Sequence, residues 1–212
     1  MSLKTKINFL IVITLSLTPV IIVPAFIDYY YFPKIFLIYF FVLCISGLCI
    51  INKNNPFSIY DTADKLLYAY YALIVVSTIF SSNLNQSIWG RPLREEGLFA
   101  LLAYGFLFVI TRKYYEFSLK YMKLFLIATF LVTVYGVSQY FGFDPIPKDP
   151  MRSGWYNYAF STLGNPNFFG SFIVLVLPIN VFVYISDILS IKLSAIIPYF
   201  DNSITPFDML PK

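Results

Sequence analysis

Long apolar runs, each closed by a polar or charged cluster, repeat along the chain. The first runs from about Ile7 to Phe26 and carries Pro19 and Pro24, which kink or end a helix. An aromatic turn, Asp28 to Pro33, separates it from a second run over about Ile35 to Ile51. Asn52 to Asp64 is polar and contains Asn-Asn-Pro, a turn signal. A third run covers about Lys65 to Phe80 and a fourth about Leu93 to Ile110; both are short against the roughly 20 residues of a spanning helix. Thr111 to Lys123 interleaves Arg112, Lys113, Lys120 and Lys123 with aromatic residues, the pattern of a helix lying on a lipid surface. A fifth run spans about Leu124 to Phe141, a Pro-rich loop follows over Gly142 to Gly164, and a sixth spans about Pro166 to Ile185. Ile191 to Phe200 is apolar but too short to cross, and 201–212 reads as a disordered or non-native tail. The pattern predicts an all-α, polytopic membrane bundle of about six spanning helices with an incomplete seventh, in one domain over 1–212.

Composition agrees with that class. Of the 212 residues, 58% are hydrophobic and 12% charged, about half the charge of a soluble domain. The first run is retained as a helix rather than removed as a signal peptide, because no small-residue cleavage pattern follows it. The net charge of +4 sits at segment ends, not on a basic face interleaved for base stacking, so it argues for topology and against nucleic acid. With six crossings, the side holding the N-terminus collects ten Lys and Arg and the opposite side five. The positive-inside rule then puts the N-terminus in the cytoplasm of a multi-pass cytoplasmic-membrane protein. The chain has no histidine, which removes imidazole general-base chemistry and His-rich metal sites. Cys44 and Cys49 lie on different helix faces and read as small apolar residues. No cofactor or metal is expected.

The densest charge is in Trp89-Gly90-Arg91-Pro92-Leu93-Arg94-Glu95-Glu96-Gly97. Pro92 suits the first position of a helix, which would place Arg91 and Arg94 on one face. A helix start disfavours cations, so the arginines need a partner. A bound oxyanion such as a diphosphate is one, because the guanidinium fork matches phosphate oxygens. Pairing of Arg91 with Glu95 is the other. Glu95 and Glu96, adjacent on a helix, point about 100° apart and cannot act as facing acid and base. Trp89 and Gly97 frame the stretch. In a second motif, Ser161-Thr162-Leu163-Gly164-Asn165-Pro166-Asn167, Asn165 reads as a helix N-cap with Pro166 at the first helical position. Asn167 is left as an amide for a sugar, a phosphate or a neighbouring helix. Arg152 with Trp155, Tyr156 and Tyr158 reads either as a sugar platform or as an interfacial belt. No ionisable residue stands clearly at mid-bilayer, which counts against an ion-coupled transporter.

Four pieces in order resemble the O-antigen ligase and polymerase-like membrane proteins. They are Asp28 with Phe32-Pro33-Lys34, Ser81 through Gly97, Gly136 to Pro147, and Phe160-Ser161-Thr162-Leu163-Gly164-Asn165-Pro166-Asn167-Phe168-Phe169-Gly170. The resemblance implies lipid-linked glycan transfer in cell-surface polysaccharide or glycoconjugate assembly. The donor would be an undecaprenyl diphosphate-glycan at the outer face of the membrane. It also implies ligand contacts for Arg91, Arg94, Arg152, Asn165 and Asn167, with Trp89, Glu95, Glu96 and Gly97 in support. Family members continue into a further outer loop bearing a catalytic histidine, and many carry an arginine near the place of Tyr158. The chain therefore resembles the N-terminal half alone, as a truncated gene, a split gene or a partial sequence. It is expected to be inactive without the other half, which a separate chain would supply. The alternative reading is a non-enzymatic membrane subunit, or a component of a lipid-carrier transporter or flippase.

Overall fold

A computed structural model describes residues 2–24, 26, 28–59, 61–92, 94–146 and 158–196, with backbone alone at 187 and 189–196. All regular structure among them is helical: α1 (Leu3–Val20), α2 (Tyr31–Ile51), α3 (Thr62–Ile79), α4 (Leu84–Trp89), α5 (Leu98–Tyr114), α6 (Leu119–Tyr140) and α7 (Pro166–Ile196). A 3-10 turn, Ser161–Leu163, precedes α7. Arg152 and the expected tail over 201–212 lie outside the described residues.

Four helices are long and apolar enough to cross a membrane: Leu3–Val20, Tyr31–Ile51, Leu119–Tyr140 and Pro166–Ser186. The third and fourth apolar runs do not join them. Helix α3 opens on Asp64 and Lys65, and α5 has 17 residues ending on Arg112 and Lys113.

Several expected boundaries move, each for a local reason. Helix α1 takes in Lys4 and Lys6 because Ser2 caps it, its hydroxyl accepting from the Thr5 amide at 3.2 Å. The basic aromatic stretch over 111–123 forms no separate surface helix. Its first part is the last turn of α5, its last part the first turn of α6, and four residues link them. Lys and Arg there sit at helix ends. Past Ser186, α7 continues as one helix to Ile196 instead of breaking before a second apolar stretch.

Met1–Phe169 is one compact unit and Gly170–Lys212 a second. In the first, α1 packs along α6, α2 and α5. Ile7 and Ile11 of α1, Ile45 and Cys49 of α2, and Ile110 and Tyr114 of α5 form its buried core. Helix α6 buries Ala128, Thr129, Val132 and Gly136, a stripe at intervals of about four residues. Small residues let helix backbones close in lipid, where van der Waals contact and hydrogen bonds replace the hydrophobic drive.

The helices run back and forth between two ends. At one, Lys4 pairs with Glu116 at 2.5 Å, Arg112 binds Asp61 and Asp64, and Tyr114 donates to Asn54 at 2.8 Å. At the other, the turns after α1, before α5 and before α7 come together around Lys34. Lys4, Lys53, Lys65, Arg112 and Lys113 thus belong to one end and Lys34, Arg91 and Arg94 to the other. The second unit comprises the rest of α7, with Pro178 inside the helix.

Candidate functional site

The Arg-Glu stretch is a closed loop, not a helix start. The Arg94 and Glu95 amides both donate to the Arg91 carbonyl at 3.0 Å, making one tight turn. Glu95 then takes a left-handed conformation at φ 55°, which stops any helix there. Helix α5 begins only at Leu98, with Gly97 as its N-cap. Tertiary closure overrides the local rule that favours Pro92 at a first helical position. Gly90, at φ 93°, and Gly97 bring the two loop ends into backbone contact. A Cβ on Gly97 would stand 2.3 Å from the Ile88 carbonyl oxygen and 2.4 Å from the Gly90 nitrogen. Only residues without side chains permit that approach.

This geometry bears on Glu95, one of the two partners weighed for the arginines. The turn sends Glu95 away from the i,i+4 position it would hold on a helix. Among the described residues, neither Arg91 nor Arg94 has a carboxylate oxygen within the 4.0 Å of an ion pair. Both residues are exposed.

Three clefts meet at this loop. The smallest, about 190 Å³, has Arg94, Glu96, Lys34, Tyr31 and Tyr104 in its wall, with Leu163 and Phe168 beside them. A second, about 610 Å³, is an apolar groove between α2, α3 and α5, running from Trp89 to Phe57. Trp89 closes its upper end edge-on against Phe99, with ring centroids 5.0 Å apart. The third, about 740 Å³, lies between α3, α4 and the start of α5. Glu96 lines both the first and the third.

Lys34 is the residue that sequence reasoning passed over as a site. It stands in the first turn of α2, is only 9% exposed, and donates to the Ile21 carbonyl at 2.7 Å and the Thr162 carbonyl at 2.8 Å. Its cation is therefore fixed at the junction of α1, α2 and the turn before α7. The available signal was a lone lysine at the mouth of an apolar run, directly before Ile35.

The second motif supports this junction. Asn165 caps α7 as its sequence suggested, its side-chain oxygen accepting from the Asn167 amide at 2.9 Å, and Gly164 turns the chain at φ 68°. Gln139 accepts from the Phe160 and Ser161 amides at 3.1 and 2.7 Å. The Ser161 hydroxyl donates to the Val132 carbonyl and the Thr162 hydroxyl to the Pro19 carbonyl, both at 2.5 Å. The motif thereby becomes a buckle between α1, α6 and α7. Leu163 and Phe168, rather than Asn165 and Asn167, reach the wall of the Lys34 cleft. Asn167 is exposed.

At the opposite end, the Asp61 carboxyl is held below the usual carboxylate range, first by the Asp64 amide at 3.0 Å and then by the Arg112 guanidinium. This arrangement ties α3 to α5 and presents no open cation. Among the described residues, no cluster of three metal-ligating side chains occurs. Compared with models of known families, with curated proteins and with solved structures, the chain matches none.

Proposed function

We propose that the chain binds the diphosphate of a lipid-linked glycan, an undecaprenyl diphosphate-glycan in particular, during assembly of cell-surface polysaccharide or glycoconjugates. On this reading it crosses the cytoplasmic membrane about six times, starts in the cytoplasm, and carries the Arg91 loop on the outer face. One observation carries the reading: Arg94, without a carboxylate partner among the described residues, and Lys34 line one cleft at the same end of the bundle.

The chemistry is complementary. A diphosphate offers several anionic oxygens on a compact group. Arg94 brings paired N–H donors and Lys34 a fixed point charge, while Arg91 stands on the same turn. The apolar groove below Trp89 suits a hydrocarbon chain entering from the bilayer. The ordered resemblance to O-antigen ligase and polymerase-like proteins names the same ligand on separate grounds. The role assigned to this chain is to hold and orient the donor; the base that activates an acceptor is not assigned to any of its residues.

The test is binding of undecaprenyl diphosphate to the full chain in nanodiscs. A charge-assisted hydrogen bond is worth about 1.5–3 kcal/mol, so Arg94→Ala should weaken binding roughly tenfold or more. Arg91→Ala should also weaken it, and Glu95→Gln should change it little. Equal, negligible losses at both arginines would remove the proposal.

A further inference from the structure

The cleft of about 740 Å³ has a chemistry of its own. Its walls carry five hydroxyl side chains from two short stretches, Ser77, Thr78, Ser81, Ser82 and Ser87, together with the Gln86 amide and the Tyr70 and Phe80 rings. Among the described residues, no lysine or arginine lines it, so none of them offers an anion a counter-charge here, unlike in the neighbouring cleft. Thr78 is satisfied by the Ile74 carbonyl at 2.9 Å, and Ser81 and Ser87 bond each other at 2.5 Å. Ser77, Ser82 and Gln86 make no side-chain hydrogen bond among the described residues, and the two serines are exposed. Neutral donors and acceptors beside aromatic faces are what a sugar ring needs, since its edges are polar and its faces carry C–H groups. The volume falls within the roughly 300–1,000 Å³ of small-molecule sites.

We propose that this cleft is a neutral-saccharide subsite. It takes the sugar that follows the diphosphate bound at Arg94 and Lys34, so the inference rests on the function proposed above. Adjacency carries that placement, because Glu96 lines both clefts. Ser77, Ser82 and Gln86 face the sugar hydroxyls, and Glu96 accepts from the hydroxyl nearest the phosphate.

The experiment compares three probes on the full chain in nanodiscs: undecaprenyl diphosphate, the same lipid bearing one N-acetylglucosamine, and free di-N-acetylchitobiose. In the native chain the lipid-linked sugar should bind about three- to tenfold tighter than the bare lipid. Ser82→Ala, at an exposed position, and Gln86→Leu should each erase that gain and leave bare-lipid binding unchanged. Arg94→Ala should weaken both lipids alike. Binding of the bare lipid with no gain from the sugar would overturn the subsite and leave the diphosphate reading standing. Failure of the bare lipid to bind would overturn the diphosphate reading itself. Variants that weaken both lipids equally would overturn the subsite in favour of a structural role for α4. Binding of the free disaccharide that persists when the lipid site is full would overturn the lipid-linked source and assign the cleft to an acceptor sugar.

Discussion

The closed loop at Gly90 and Gly97 gives the sharpest test of how the arginines are held. Replacing Gly97 by alanine adds one carbon 2.3 Å from the Ile88 carbonyl oxygen and 2.4 Å from the Gly90 nitrogen, where ordinary contact begins at 3.4 Å. Every atom in that clash is backbone, so no side chain can rotate away. The loop ends must part by about 1 Å, a displacement whose overpacking cost is typically about 1–3 kcal/mol. The core around Ile7, Ile45 and Ile110 lies at other levels of the bundle and should keep its packing. The displaced loop carries Arg91 and Arg94 with it, and charge-assisted hydrogen bonds weaken steeply off geometry, so diphosphate binding should fall about tenfold. Gly90→Ala should cost more, because it adds the strain of a side chain at φ 93° to a contact of 2.4 Å with the Glu96 nitrogen. Gly47→Ala, in α2 with nothing within 4 Å of the new carbon, serves as the control and should leave binding intact. Trp89 reports on the loop directly. It packs edge-on against Phe99, and Trp155 is the second tryptophan of the chain. In a Trp155→Phe background, Gly97→Ala should shift the Trp89 emission to the red. Unchanged emission together with native binding would refute the argument that backbone closure positions the arginines.

Three further outcomes follow from other parts of the molecule. Gln139→Leu leaves the Phe160 and Ser161 amides without their acceptor, at about 1–3 kcal/mol for each unsatisfied donor; the thermal midpoint should drop, and Gln139→Glu, which keeps an acceptor, should restore most of it. The Asp61 carboxyl has a lowered pKa in the folded chain, so its contribution is complete above the unfolded carboxylate value of about 3.9 and is lost as pH falls through the still lower folded value. Thermal stability at that end should therefore stay level from pH 8 to 5 and fall below about 4, and Asp61→Asn should flatten the acid limb. With Cys44 and Cys49 replaced by alanine, a cysteine at Ser82 should react with an impermeant thiol reagent from outside intact cells, whereas one at Lys53 should react only after lysis; the reverse pattern would invert the topology.

The class of the fold was legible because it depends on sums. Apolar runs near 20 residues with charge kept to their ends leave few soluble alternatives, and the four helices able to cross a membrane fall where four of those runs stand. Helix ends were less legible because they depend on single contacts. Ser2 extends α1 past two lysines that read as a boundary, and the stretch over 111–123 divides between two helices although its charge pattern is that of one. In each case the local signal was sound, and a cap or a short link settled the outcome differently.

Residues of the candidate site stood out singly in the sequence, and their assembly did not. Arg91 and Arg94 stood out as charge at the edge of an apolar run, and Asn165 as a cap; both follow from local chemistry. The left-handed Glu95 did not, because only the closure of Gly90 on Glu96 and Gly97 requires it, and that contact joins residues on either side of the loop. Lys34 and Arg94 are sixty residues apart in sequence and meet only because α2 and α5 pack together. The same long-range buckle leads from the turn before α7 to the cleft, whose wall includes Leu163 and Phe168. It fixes the Thr162 carbonyl, which holds the Lys34 ammonium, which supplies the second charge beside Arg94. That run of contacts joins residues far apart in sequence, which local residue chemistry alone does not bring together.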